Sequence, residues 1–218
     1  MSKRIPTFAI NIEVNNNLCY RIFKRGFDIF VSTMLILLLF PLMLVIGILV
    51  VATSKGPMFY VSDRVGRYGY TFKFLKFRSM NVNADEQLID LLKKNEVEGG
   101  VTFKMENDPR ITKFGRFIRK TSLDELPQLF NIWLGEMSFV GPRPCTVREF
   151  NLYDSRDQQR LAVKQGLTGE WQVNGRSKTT FKQMIEMDID YCKKRSFWYD
   201  LKIMFKTVGV VFRHDGAE

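Results

Sequence analysis

The pattern of apolar and polar positions divides the chain in two. From Ile29 to Ala52 it is continuously uncharged and apolar, IFVSTMLILLLFPLMLVIGILVVA. A straight helix over that run reaches about 36 Å at about 1.5 Å per residue, enough for a bilayer core of about 30 Å. It is not a secretory leader: it starts late, exceeds the usual apolar region, and no small-residue cleavage site follows in a polar setting. Pro41 in its middle removes one backbone hydrogen bond and clashes with the preceding turn, so a kink or break is expected there. Two arrangements fit: a kinked single span, or a helix that enters, bends at Pro41 and leaves by the same face. Arg21, Lys24 and Arg25 precede the run, and Lys55, Arg64 and Arg67 follow it. Basic residues collect on the cytoplasmic side, and here they flank both ends, as the second arrangement requires.

Elsewhere the pattern is that of a folded domain. The first 20 residues are polar and read as a loose tail. Gly56-Pro57 makes a turn, and the following aromatic and basic stretch reads as two short strands around Arg67–Gly69. Helices are predicted over 83–96, with Ala84, Leu88, Leu91 and Leu92 on one face, over 112–120, and over 122–135. Further helices are predicted over 146–160 and 179–194. The last, over 197–213, mixes bulky apolar residues with Lys202, Lys206 and Arg213; it suits a membrane interface or an ordinary core face equally. The segment 98–105 reads as loop or short strand, and Asp108-Pro109 as a turn. The expected fold is α/β, mostly helical with short strands. Its parts are a flexible tail (1–22), a membrane helix (23–55) and a catalytic domain with interfacial helices (56–218).

Composition narrows the chemistry. The 218 residues are 45% hydrophobic and 26% charged, which excludes a disordered or fibrous chain. The three cysteines, Cys19, Cys145 and Cys192, are far apart, so a zinc ribbon or redox dithiol does not fit. One histidine, His214, leaves no His-based zinc site and almost no room for a Ser-His-Asp triad. A net charge of +10 draws nucleic acid, anionic lipid or phosphorylated small molecules.

The carboxylates worth attention are Asp124 and Glu125 in TSLDELPQL. Ser122 with Glu125 fits a capping box, which would make both acids structural. Yet Arg116, Arg119 and Lys120 lie upstream and Arg143 downstream. Paired acids among cations suit a metal–phosphate site, one acid attacking phosphorus while the other holds Mg²⁺. Lys76 and Arg78 in KFRSM would share one face of a strand, for an anion or merely for solvent. Arg143, stiffened by Pro142 and Pro144, is a candidate phosphate or uracil binder, or a plain loop residue. Lys113, Arg116 and Lys120 form a stripe whose ordinary meaning is a solvated face. The glycines of GLTGEWQVNGRS permit close backbone approach to a ligand or tight turns. The aromatics sit beside apolar residues, so packing is expected of them rather than nucleic-acid stacking.

In these motifs the chain resembles the bacterial sugar transferases, the monotopic polyprenyl-phosphate phosphoglycosyl transferases. The residues that carry the likeness are KRGFD (24–28), GPMFY (56–60), DRVGRYG (63–69), KFRSM (76–80), DPRITKFGRFIRKTSLDELPQLFNIWLGEMSFVGPRP (108–144) and GLTGEWQVNGRS (166–177). The chain departs from the family pattern at Phe40, Ser62 and Gln165. The resemblance implies transfer of a sugar-1-phosphate from a UDP-sugar to polyprenyl (undecaprenyl) phosphate, releasing UMP, in two steps that need Mg²⁺. It makes Asp124 the nucleophile and Glu125 the Mg²⁺ ligand or helper, and ties Arg119, Arg143 and Arg176 to phosphate and nucleotide, with Lys76 and Arg78 in the same anionic site. It implies a re-entrant helix broken at Pro41, a place at the cytoplasmic face of the bacterial cell membrane, and the first membrane step of exopolysaccharide, capsule, O-antigen or glycoprotein glycan synthesis. The chain looks like the minimal catalytic form, without the N-terminal membrane domain of larger relatives. Nucleic acid is not expected as a partner, a homodimer is left open, and the sugar is not legible. The rival readings are a single-pass anchored phosphotransfer enzyme of another type and a non-enzymatic basic membrane adaptor.

Overall fold

A computed structural model describes residues 5, 9–91, 101, 105, 107–175 and 179–213. Helix α1 (Leu18–Thr53) opens at Asn17, whose side chain accepts from the Tyr20 N–H, and closes where the Ser54 N–H meets the Val50 carbonyl. Pro41 lies inside α1, which continues past it instead of ending there. One side of α1 packs on the domain along most of its length. Phe27, Val31, Leu35, Ile36 and Leu39 join the main core, and Met43, Ile46 and Val50 join Phe77 and Ile118 in a second cluster. The other side is bare: Leu37 and Leu38 are 72% and 73% exposed. Among the described residues α1 is the one helix long and apolar enough to cross a membrane.

The two predicted strands form. β1 (Phe59–Val65) and β2 (Thr71–Phe77) make an antiparallel hairpin in the register Tyr60↔Lys76 and Arg64↔Phe72. Its turn places Tyr68 (φ 57) and Gly69 (φ 78) in the left-handed region. After α2 (Ala84–Leu91), α3 (Lys113–Lys120), α4 (Gln128–Leu134) and β3 (Ser138–Val140), the short strand β4 (Cys145–Thr146) joins the free edge of β1, giving the order β2-β1-β4. Then come α5 (Val147–Asn151), β5 (Gly166–Thr168), α6 (Glu170–Asn174), α7 (Phe181–Lys194) and α8 (Phe197–Arg213), with β5 parallel to β3. The edge of β2 is held by a side chain: Asn131 on α4 accepts from the Leu75 N–H and donates to the Lys73 carbonyl. That bridge sets α4, and the turn before it, against the strand carrying Lys76.

Three predicted helices come out differently. The helix expected over 122–135 is split. Ser122 is left-handed (φ 56) and makes no side-chain cap bond, so the capping box is absent. Leu123–Glu125 form a single 3-10 turn, and α4 begins only after Pro127, which has no N–H to extend a helical ladder backward. The stretch 146–160 divides into α5 and a 3-10 segment, Asp157–Ala162, with a true capping box at Thr146 and Glu149. Of 83–96, α2 covers 84–91 and the remainder lies outside the described residues, as does most of 98–105. The polar stretch before α1 is attached to the domain: the Asn11 N–H donates to Gln159, and Arg195 donates to the Asn15 carbonyl.

α8 buries Ile203 and leaves Trp198, Phe205 and Val208 exposed beside exposed Lys202 and Lys206. Lys113, Arg116 and Lys120 are exposed on α3, as a solvated stripe should be. The glycine motifs close the core rather than a ligand site: a Cβ on Gly166 would lie 2.1 Å from the Gly141 nitrogen, so only glycine lets the two loops meet. Trp171 donates its indole N–H to Thr179 and packs on the Met184–Ile189 cluster.

Candidate active site

The 3-10 turn Leu123–Glu125 is anchored by Leu123 in the cluster beneath α1, and it turns Asp124 inward. Asp124 is only 4% exposed, whereas the Glu125 side chain is 37% exposed. Lys76 reaches both from β2. Its Nζ lies 2.6 Å from Glu125 Oε1 and 3.4 Å from Asp124 Oδ2. Because residues paired in an antiparallel register share a face, Tyr60 and Arg64 of β1 lie on the Lys76 side of the hairpin. The Arg64 guanidinium stands 5.1 Å and the Lys76 ammonium 5.7 Å from the centre of the Phe74 ring between them.

Arg143 and Arg119 complete the arc. Among the described residues neither guanidinium has a hydrogen bond or ion pair. Arg143 is carried on a rigid loop: its carbonyl accepts from Arg160, which is buried in an ion pair with Asp188 at 2.5 Å and donates to the Tyr153 hydroxyl. Pro142 and Pro144 hold the loop through their carbonyls, which accept from the Gly166 N–H and from Arg64.

The two acids titrate apart. Burial pushes the Asp124 carboxyl above the ordinary aspartate range, opposed by Lys76 and Arg119 and reinforced by Glu125. Burial also works against ionised Glu125, but Lys76 foremost, and then Arg143, outweigh it and hold the carboxyl low. Burial lowers Arg64, and the neighbouring Arg143 guanidinium lowers it further, while Glu149, whose carboxylate lies 4.0 Å from the Arg64 guanidinium, pulls the other way.

Arg78 does not join this group. It follows β2 rather than extending it, and its guanidinium donates to the carbonyls of Ser54, Lys55, Gly56 and Pro57, clamping the end of α1. The shared strand face expected for Lys76 and Arg78 therefore fails at the last position. Arg176 lies outside the described residues. Arg64 went unmarked as a site residue in the sequence, although alternation along β1 would place it across the sheet near Lys76.

No group of three or more metal-ligating side chains occurs among the described residues. Two adjacent carboxylates already sharing one cation do fit Mg²⁺, which takes one or two carboxylates and completes its shell from phosphate and water. Asp124 and Glu125 would hold it.

The family described as bacterial sugar transferase matches residues 19–214. The chain is 45% identical over 212 residues to the undecaprenyl-phosphate galactose phosphotransferase of Salmonella typhimurium LT2, covering 94% of this chain and 44% of that one. It is 44% identical to the UDP-glucose:undecaprenyl-phosphate glucose-1-phosphate transferase of Klebsiella pneumoniae, over 86% of this chain and 39% of the relative. It is also 44% identical to the exopolysaccharide production protein ExoY of Rhizobium meliloti 1021, over 89% of this chain and 87% of the relative. The chain thus spans less than half the length of the first two relatives and most of the third. Matched from the first turn of α1 to just past the end of α8, it belongs to the bacterial sugar transferase family.

Proposed function

We propose that the protein is a phosphoglycosyl transferase that moves a sugar-1-phosphate from a UDP-sugar to polyprenyl (undecaprenyl) phosphate at the cytoplasmic face of the bacterial cell membrane. The observation that carries the reading is the buried Asp124 carboxylate, joined through Lys76 to Glu125 and faced by two guanidiniums with no protein partner. A carboxylate can attack a phosphate diester only if surrounding cations offset the repulsion between the two anions.

In the first step Asp124 Oδ attacks the sugar-bearing phosphorus. An acyl-phosphate bond forms, the P–O bond to UMP breaks, and UMP departs with the electron pair. In the second step a phosphate oxygen of the polyprenyl phosphate attacks the same phosphorus, and Asp124 leaves as a free carboxylate. Lys76 keeps Asp124 ionised and oriented; Arg119, Arg143 and Arg64 hold the phosphates and, with Arg176, the nucleotide. Bound Mg²⁺ would supply further neutralisation of phosphate charge. The covalent stage lets two bulky substrates use one site in turn. Both ends of α1 are fastened to one domain, which supports a re-entrant course bent near Pro41; this would bring a lipid-borne phosphate to the water-facing site. The product is a starting unit for exopolysaccharide or a related surface glycan.

The test is intact-mass spectrometry of enzyme quenched after exposure to UDP-galactose or UDP-glucose without acceptor. An adduct of one sugar phosphate is expected on the wild type and none on Asp124→Asn, with UMP release lost in the variant. An adduct or full turnover in Asp124→Asn removes Asp124 as nucleophile.

A further inference from the structure

The far end of the β1–β2 hairpin carries a second basic cleft that the transfer chemistry does not use. Gly66, Arg67, Tyr70, Thr71, Glu136 and Lys164 line a cavity of about 210 Å³. It is distant from the carboxylates: Thr71 and Lys76 are separated by about 17 Å of strand at about 3.4 Å per residue. Two cations, Lys164 and Arg67, line it, and a third, Arg25, lies behind, donating to the Ile132 and Trp133 carbonyls. Lys164 has no hydrogen bond or ion pair among the described residues. Arg67 stacks on Tyr68 and donates to its hydroxyl. Arg25 stands behind Gly135, whose missing side chain leaves the guanidinium 3.1 Å from the place a Cβ would fill. The acids nearby are engaged elsewhere: Glu136 accepts from Asn131, and buried Asp28 accepts from Ser138 and the Phe139 N–H. Burial and then Arg25 push the Lys164 ammonium down against the pull of Asp28, with Arg67 and Lys24 adding smaller pushes.

The position of the cleft says which anion. Arg25 sits one turn before the uncharged run of α1 begins at Ile29. The segment entering the cleft from α4 ends in exposed Trp133 and Leu134, directly before Gly135. A tryptophan and a leucine beside a basic hollow, level with the start of a membrane helix, form the rim expected of a lipid headgroup site. The cavity far exceeds the roughly 10–15 Å³ that one water needs.

We propose that this cleft binds the phosphate of an anionic membrane phospholipid, with Lys164 and Arg67 as its ligands and Trp133 and Leu134 against the lipid's apolar part. The chemistry recognised is an anionic phosphate group, which a lipid or free phosphate could supply; the rim favours the lipid.

The experiment uses the full chain in nanodiscs of phosphatidylcholine with or without phosphatidylglycerol, released gently for native mass spectrometry. The wild type should retain phosphatidylglycerol in preference to phosphatidylcholine. Lys164→Gln and Arg67→Gln should each lower that retention about tenfold, while Lys202→Gln, on the exposed side of α8, should not. Equal retention in Lys164→Gln and the wild type, equal retention of phosphatidylcholine, or no retention at all overturns the proposal. Inorganic phosphate forms the other arm. If it raises the melting temperature of the wild type in phosphatidylcholine discs but not that of Lys164→Gln, and phosphatidylglycerol is not retained, the cleft takes free phosphate and the lipid assignment falls. None of these readouts depends on turnover, so the outcome is independent of the role given to Asp124.

Discussion

Asp124 and Glu125 are chain neighbours, yet burial dominates at the first and cations at the second. A nucleophilic Asp124 must be ionised, and burial raises its pKa, so adduct formation should fall on the acid side with a limb above the ordinary aspartate value of about 3.9. Lys76 lowers that pKa. In Lys76→Met the limb should therefore move to higher pH, whatever happens to the maximal rate. Single-turnover adduct formation followed across pH checks this; an unmoved or down-shifted limb would mean that Lys76 does not stabilise the ionised acid. At this scale the sequence was informative about identity and weak about placement. The acids and Arg143 were legible as chemistry because cations crowd them in the chain. Arg64 was not, because its nearness to Arg143 depends on β4 closing against β1.

Elements decide which basic residue does what. The pairing of β1 with β2 ends at Phe59↔Phe77, so Arg78 leaves the strand and turns to the carbonyls that end α1. Those carbonyls lack helical partners, and a guanidinium fork serves several at once. A lysine cannot. Arg78→Lys should cost roughly 2–4 kcal/mol of stability, as several charge-assisted hydrogen bonds are lost, and leave the KM for the UDP-sugar unchanged. Denaturant unfolding beside donor kinetics measures both; normal stability with a raised KM would return Arg78 to the substrate site. The hairpin, α3, α7 and α8 were legible from periodicity and punctuation. The split around Asp124 was not, since LDELPQLFNIW reads as one amphipathic helix unless Pro127 is given priority over the apolar repeat. That split matters chemically, for a short 3-10 turn sinks Asp124 while leaving Glu125 accessible.

For the whole molecule the deciding relation is between α1 and the domain beneath it. A straight helix of 36 residues would extend about 54 Å, far beyond a bilayer core of about 30 Å. Its first turns are bound to α8 and α4: Tyr20 and Lys24 meet Asp200 at 2.8 and 2.5 Å, and Arg25 donates to the Ile132 and Trp133 carbonyls. Its far end is held by Arg78, the residue directly after β2. One polar domain cannot occupy both sides of a membrane, so both ends of α1 should face the same side, the cytoplasm in the proposed reading, while bare Leu37 and Leu38 meet lipid. The cysteines make this measurable. Cys19 at the start of α1 is exposed, and Cys145 and Cys192 are buried, with thiols that burial raises to about 11 and about 12. A membrane-impermeant maleimide should therefore label native Cys19 alone, and Lys55→Cys alone in a Cys19→Ser background. Both labels should appear in inverted vesicles and in neither case on intact spheroplasts. If one end is labelled from each side, α1 spans the membrane, and the anchoring of both its ends to one domain does not survive in the bilayer.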